Sequence, residues 1–268
     1  MNDPTPVQPP VQPPENPLLQ RARMPGQTFA LPSGGLFYTH GELDPTVKNG
    51  EVLVFPMVTM DELSIKTPDK IMNGTAVTEV FARCIPQIKR PELLLAKDVD
   101  FLLVCLRKVT YGNEMQVSYI HDCENAKEHS YMVSLDPLIA TASKLDRSQI
   151  DSYTLTLPNS QVVKLIPPKY NIMLEMYQAF NSELSDEETK QRVLNTTFSL
   201  IESVDGIEDR QMIHEWVRTI SAGFTRKIGE HVAKLSKWGP DLHAPLVCKD
   251  CQEEVKVEIS LNPIHFFS

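Results

Sequence analysis

Two cysteine-bearing stretches, one in each half of the chain, repeat a single pattern. The first is "IHDCENAKEHSYMVSLDP", from Ile120 to Pro137, and the second is "CKDCQEEVKVEISLNP", from Cys248 to Pro263. Each reads as a short turn carrying Asp-Cys, then a strand, then Ser-Leu-Asx-Pro. In the second copy Val255, Val257 and Ile259 alternate with charged residues, the spacing of a half-buried β-strand. Cys248-x-x-Cys251 on such a turn has the shape of a zinc knuckle, since two-residue spacing lets both thiolates reach one metal. Tetrahedral zinc needs two further ligands. The first copy offers Cys123 in register with Cys251. Ile120 stands in register with Cys248 and cannot ligate, but the adjacent His121 can.

The expected metal set is therefore Cys123, Cys248, Cys251 and His121, forming a closed structural zinc site. His129 and His243 are reserve ligands. The competing reading makes Cys248 and Cys251 plain thiols in a hairpin that binds no metal. If the metal reading holds, two hairpins distant in sequence must lie side by side.

The chain has five cysteines, an odd number, and its proline-rich start does not resemble a secretory signal. This points to a reducing compartment, with thiols or metal ligands rather than disulfides. Cys84 and Cys105 sit in apolar helical patterns and are expected to be buried small hydrophobes. No apolar run approaches the ~20 residues of a membrane span. The net charge is −9, from 35 acidic and 26 basic residues. That argues against nucleic-acid binding, which usually needs a basic face.

The surrounding pattern suggests a two-fold layout. Residues 1–26 are a proline-rich tail expected to be disordered. Residues 27–150 form a first module, beginning with "TFALPSGGLFYTH", read as strand, Pro-Ser-Gly-Gly turn and strand. Thr59, with Glu62 three residues on, reads as a helix N-cap. A helix from Lys97 stops at Gly112, and a helix opening at Asp136-Pro137 follows the first cysteine hairpin and runs to about Leu145.

Residues 151–268 form a second module. "SYTLTLPNSQVVKLI" echoes the opening hairpin. Helices are expected over Lys169–Ser182, Asp186–Ser203 and Asp209–Ala222, and the stretch ending at Trp238 extends the last of them or adds another. The fold class is α+β: two similar modules of β-hairpins packed with helices, with a zinc knuckle joining them. Duplication and chance likeness of short hairpins both remain open.

Signatures of catalysis are missing from the sequence. There is no Gly-rich phosphate loop, no His-Glu-x-x-His and no nucleophile elbow. "IHEWV" and "GEHVAK" place His and Glu side by side on helices, where adjacent residues face different ways. A cysteine-dependent enzyme centred on Cys123 would need an orienting acid and an oxyanion loop that cannot be identified.

The order of several stretches carries a family resemblance. "LPSGGLFY", "VFPMVTMDELSIKTPDKIMNGTAVTEVFARC", "DVDFLLVCLRKVTYG", a cysteine hairpin, "IESVDGIEDRQMIHEWVRTISAGFTRKI", a CxxC and a final "FF" resemble the T4-type contractile-phage baseplate hub assembly proteins. The likeness runs from about Phe29 to Phe267. It implies a non-enzymatic role, as a hub subunit or hub assembly factor that binds other baseplate hub proteins. The setting would be the host cytoplasm during assembly, or the virion tail baseplate. That family usually has a cysteine pair in both knuckles, and Ile120 departs from it. The turn Pro32–Gly35 and the pair Phe266-Phe267 are candidate contact points for partners. The alternative function is a zinc-ribbon nucleic-acid-binding or transcription accessory protein.

Overall fold

A computed structural model describes residues 24–267 apart from 73, 124–126 and 181–184. The proline-rich tail expected over residues 1–26 thus lies almost wholly outside the described residues. The first strand, β1 (Gln27–Ala30), pairs antiparallel with β2 (Glu51–Val54), with Phe29 opposite Val52. This corrects the hairpin expected at the start. "LFYTH" does not return as a strand, because Gly34, Gly35 and Phe37 all take positive φ and coil the chain into successive turns. Gly35 and Gly50 also pack backbone to backbone: a Cβ on Gly50 would lie 2.8 Å from the Gly34 carbonyl carbon. Glycine is needed there for both conformation and space.

Three helices follow, α1 (Thr59–Ile65), α2 (Pro68–Met72) and α3 (Thr75–Cys84). The N-cap of α1 is Val58 rather than Thr59, and its N–H donates to Asp61 at 3.0 Å. Next comes α4 (Ala96–Tyr111), ended by Gly112 at φ 94° as its sequence predicts. Its Val99 and the run from Phe101 to Arg107 are buried, so it is wrapped on nearly all sides. The first cysteine hairpin pairs β3 (Glu114–Ile120) with β4 (Glu128–Ser134), and the short α5 (Asp136–Ala140) starts at Asp136-Pro137 but stops earlier than expected.

The second half opens with β5 (Thr154–Thr156) and β6 (Val162–Leu165), the hairpin read from "SYTLTLPNSQVVKLI". After α6 (Tyr170–Phe180) and α7 (Asp186–Ser199), the chain forms β7 (Ile201–Val204), which pairs with β6. The helix expected over Asp186–Ser203 is therefore too long. Its last residues, Ile-Glu-Ser-Val, fit a sheet better than a helix, and three of the four are buried. Then come α8 (Arg210–Thr219) and a separate α9 (Ala222–Leu235). The second cysteine hairpin pairs β8 (His243–Val247) with β9 (Glu254–Glu258), and α10 (Pro263–Phe266) ends the described chain. The fold is α+β, with small antiparallel sheets packed on helices.

Two apolar cores are present. The first gathers Leu31, Val52, Phe81 and Leu102 with Val133 from β4. It also takes in Ala244, Leu246 and Val257 from the second cysteine hairpin, and Phe266 and Phe267 from the chain end. The second gathers Tyr153, Val163, Leu165, Ile201, Val217, Val232 and Trp238. The cores consequently do not part at residue 150, because residues 244–267 cross back to the first. Each core still packs hairpins on helices.

The expected contact points are largely interior, with Gly34 and Gly35 of the turn half-buried. Pro32 and Ser33 are buried, and Phe266 and Phe267 are 1% and 0% exposed. Phe266 is held by Arg107, whose Nη1 donates to its carbonyl at 2.6 Å.

The junction between the cores is polar yet sealed. Glu42, 0% exposed, accepts from Lys169 Nζ at 3.2 Å and from the His40 N–H at 2.8 Å. Asp98, equally buried, accepts from the Ser33 N–H at 3.0 Å and the Tyr38 hydroxyl at 2.6 Å. The Tyr38 oxygen in turn accepts from the Leu95 N–H at 2.9 Å. Leu95 belongs to the second core, while Asp98 lies one turn further along the same helix.

Candidate metal centre

The site is built by two hairpins whose strands are anchored in the first core and whose turns meet above it. On β8 and β9, the inward residues Ala244, Leu246 and Val257 are buried while their neighbours are exposed. This alternation fixes the register, and with it the place where the turn emerges. Within that turn the Cys248 N–H donates to the Glu253 carbonyl, and the Gln252 N–H to the Cys248 carbonyl, both at 2.9 Å. Gln252 takes φ 63°, which tightens the loop so that Cys251 folds back toward Cys248.

On the other hairpin, Met115 and Val133 point into the core. Tyr119, two residues before His121, packs on the same core, and its ring stacks with the His121 ring at 6.5 Å. Strand alternation then sends Ile120 to the opposite side, where it is 56% exposed. This explains how the first turn manages without a cysteine at position 120. The inward-facing side chain there belongs to residue 121. Beyond it, the Cys123 N–H donates to the His121 carbonyl at 3.0 Å.

Among the described residues, the ligand atoms of His121, Cys123, Cys248 and Cys251 all lie within 4.8 Å of one another. His121 Nδ1 is 3.3 Å from Cys251 Sγ. Cys248 is buried, His121 and Cys123 are half-buried and Cys251 is exposed. Zinc bonds of about 2.3 Å to sulfur and about 2.0 Å to nitrogen would set these tetrahedral donors roughly 3.5–3.8 Å apart. Three thiols and one imidazole are the donor types of a structural zinc site, and their separations of up to 4.8 Å are about 1 Å wider than a bound zinc would set. The group could hold a metal ion.

The electrostatics favour thiolate. The Cys251 N–H points at the Cys248 sulfur and, with the Asp250 N–H, the Cys251 side chain and His121, brings the Cys248 thiol down to about 7 against the opposing effect of burial. Backbone amides aimed at sulfur are the usual means of stabilising a ligating thiolate. The other two thiols behave oppositely. Burial pushes Cys84 up to about 12 and moves Cys105 well above the ordinary thiol range. Both are buried, as their apolar helical patterns predict, and the Cys84 thiol also lies 3.6 Å from Asp61 Oδ2.

The reserve ligands are engaged elsewhere. His129 Nε2 is 2.9 Å from Asp250 Oδ2, and His243 Nδ1 is 2.7 Å from Asp241 Oδ1 at the far end of β8. The His129 contact forms part of a layer the sequence did not disclose. Lys249 Nζ donates to the Ser130 carbonyl at 2.6 Å and lies 4.9 Å from the centre of the Tyr131 ring. The Lys249 N–H donates to the Tyr131 hydroxyl at 3.2 Å. Residues on β4 thereby fasten the second turn from behind. The only signal for this layer was the alternation of His129 and Tyr131 along a strand beside a cysteine turn.

No helix among the described residues is long and apolar enough to cross a membrane. No curated protein and no solved structure matches the chain. One family does: the model of the T4 bacteriophage base plate protein matches residues 45–268. That span contains both cysteine turns and the helices between them, and the chain belongs to this family of T4-type phage baseplate proteins.

Proposed function

We propose that the chain is a non-enzymatic subunit or assembly factor of the baseplate hub, acting by binding other hub proteins in the host cytoplasm as the tail is built. The family match over residues 45–268 is the observation that carries this reading. The acidic surface and the lack of catalytic signatures in the sequence agree with it. Within that role, Cys123, Cys248, Cys251 and His121 hold one structural zinc. The metal contributes no reaction; it ties a hairpin from each half into one clasp and fixes the surface that partners meet. Two-stranded hairpins are marginal alone, and a closed metal site supplies the stability they lack. The division into an opening tail, a first module over 27–150 and a second over 151–268 belongs to the same proposal, with the clasp as its crosslink.

The test is capture of the tagged full-length chain from infected cells, with quantification of what accompanies it. Stoichiometric recovery of hub proteins supports the proposal. Recovery of polymerase or nucleic acid in their place, lost on raising salt, overturns it.

A further inference from the structure

The frame repeated in the two cysteine turns is Asp-Cys, and a metal accounts for its cysteines alone. The structure gives the two aspartates different places. Asp122 is exposed, whereas the Asp250 side chain is only 15% exposed. Asp250 Oδ2 lies 2.9 Å from His129 Nε2, and the same carboxylate accepts from the Lys127 N–H. Both donors belong to the first hairpin, His129 on β4 and Lys127 just before it. Asp250 thus bridges the two hairpins while standing outside the group of four metal donors. The His129 ring is itself held, meeting the Tyr131 ring edge to face at 6.4 Å.

The consequence falls on a sulfur. The N–H groups of Asp250 and Cys251 both point at the Cys248 sulfur. These two N–H groups lie in the rigid peptide planes on either side of the Asp250 Cα. Whatever fixes Asp250 therefore aims both amides together. On the preceding residue, the Lys249 N–H is fixed by the Tyr131 hydroxyl at 3.2 Å. The middle of the CxxC turn is in this way shaped by β4, from the opposite half of the chain.

We infer that Asp250 is a positioning residue of the metal centre: seated on His129 and Lys127, it holds two amides on the Cys248 sulfur and so sets how tightly zinc is bound. The inference rests on the zinc site proposed above and adds the group that prepares one of its ligands. Outer partners of this kind change metal affinity by roughly 10- to 100-fold.

The test uses the full-length chain with Asp250→Ala, with His129→Leu, and with His129→Gln, whose amide can still donate to Asp250. Zinc affinity is measured by competition with a chelating dye, cobalt-loaded forms are compared by absorption spectroscopy, and the Tm of each metal-free chain is recorded. Asp250→Ala should weaken zinc binding at least about tenfold. His129→Leu should weaken it by a smaller factor, because the Lys127 N–H remains, and His129→Gln should restore most of that loss. The thiolate charge-transfer and d–d bands of cobalt should not move, since the four donors are the same in every variant. The metal-free Tm should stay within about 3 °C of the unaltered chain, because a part-exposed pair adds little stability by itself.

Unchanged zinc affinity in Asp250→Ala overturns the inference. So does a metal-free Tm that falls well beyond that margin, which would make the contact a general brace. A cobalt spectrum altered by His129→Leu would make His129 a ligand, and a His129→Gln chain as weak as His129→Leu would deny the hydrogen bond its part; either result overturns it too. If the unaltered chain binds zinc and the variants match it, the site stands and only the role of Asp250 falls. If the unaltered chain binds neither zinc nor cobalt, the zinc site itself fails and the inference goes with it.

Discussion

The molecule joins distant parts of its chain in two places, by opposite means. At the junction of the cores, Glu42 meets Lys169 and Asp98 meets Ser33 and Tyr38, with both carboxylates fully buried. Every acceptor there is answered by a protein donor, so the junction is complete in itself. At the clasp, His121, Cys123, Cys248 and Cys251 converge at the tips of two hairpins, beyond the reach of the core. Thiols are weak hydrogen-bond partners for one another, so this cluster gains little from its own contacts and would gain much from a shared cation. Burial makes the first crosslink; donor chemistry would make the second. The comparison predicts that the two will fail under different treatments.

The largest effect is expected at the clasp. Purified protein should contain about one zinc per chain. Stripping it with a chelator, or replacing Cys248 with serine, should lower Tm more than any single substitution at the junction. Metal analysis paired with thermal unfolding checks both points. A chelated protein that melts at the unaltered temperature would show the hairpins to be held by their strand and Lys249 contacts alone, and the comparison would collapse.

Lys169→Met should come second. It strands the Glu42 carboxylate, 0% exposed, without its cation, which costs about 3 kcal/mol. For a chain of this size that is a fall in Tm of about 5 °C. Zinc content should not change, because the clasp lies in another part of the molecule. Loss of metal along with stability would mean that the two crosslinks form one cooperative unit rather than two devices.

How much of this was legible beforehand depended on whether the information was local. The convergence of His121, Cys123, Cys248 and Cys251 was readable because such side chains stand out: CxxC, a second Asp-Cys turn and a neighbouring histidine are rare residues in a repeated frame. Alternation along each strand then fixed which side chains face inward, including His121 over Ile120. The helix ending at Gly112 was readable for a similar reason, since glycine at positive φ is a local device. The opening hairpin was misread because Leu36, Phe37 and Tyr38 look like a strand by composition. Their use is tertiary: they pack toward the second core, and Tyr38 reaches Asp98. The strand Ile201–Val204 was hidden behind a helix for the same reason, since its partner β6 lies far back in sequence. The junction was invisible altogether, because nothing in the local sequence says that Glu42 will find Lys169. The exposure of Met60 and Leu63 on α1 was likewise beyond local reading, because a helix with apolar residues at that spacing is normally turned inward.

The smallest effect expected is also the one that separates the two crosslinks by sign. Burial raises the Asp98 carboxyl to about 6, with the donors from Ser33 and Tyr38 opposing it. The unfolded chain releases this proton near pH 3.9. Between about pH 4 and 6 the folded state therefore holds more protons than the unfolded one, and stability falls as pH rises through that window. Tyr38, its nearest titratable neighbour, is itself pushed well above its ordinary range by burial and stays neutral throughout. Asp98→Asn removes the titration. The variant should gain on the unaltered protein by up to about 2 kcal/mol between pH 4 and pH 7, whatever their order at pH 4. A zinc clasp would slope the other way, because metal binding releases protons and acid therefore favours loss of the metal. Denaturant unfolding of both proteins at pH 4, 5, 6 and 7 measures the gap. If the gap stays constant across that range, the Asp98 carboxyl titrates alike in the folded and unfolded chain, and the junction is not the sealed environment that its contacts describe.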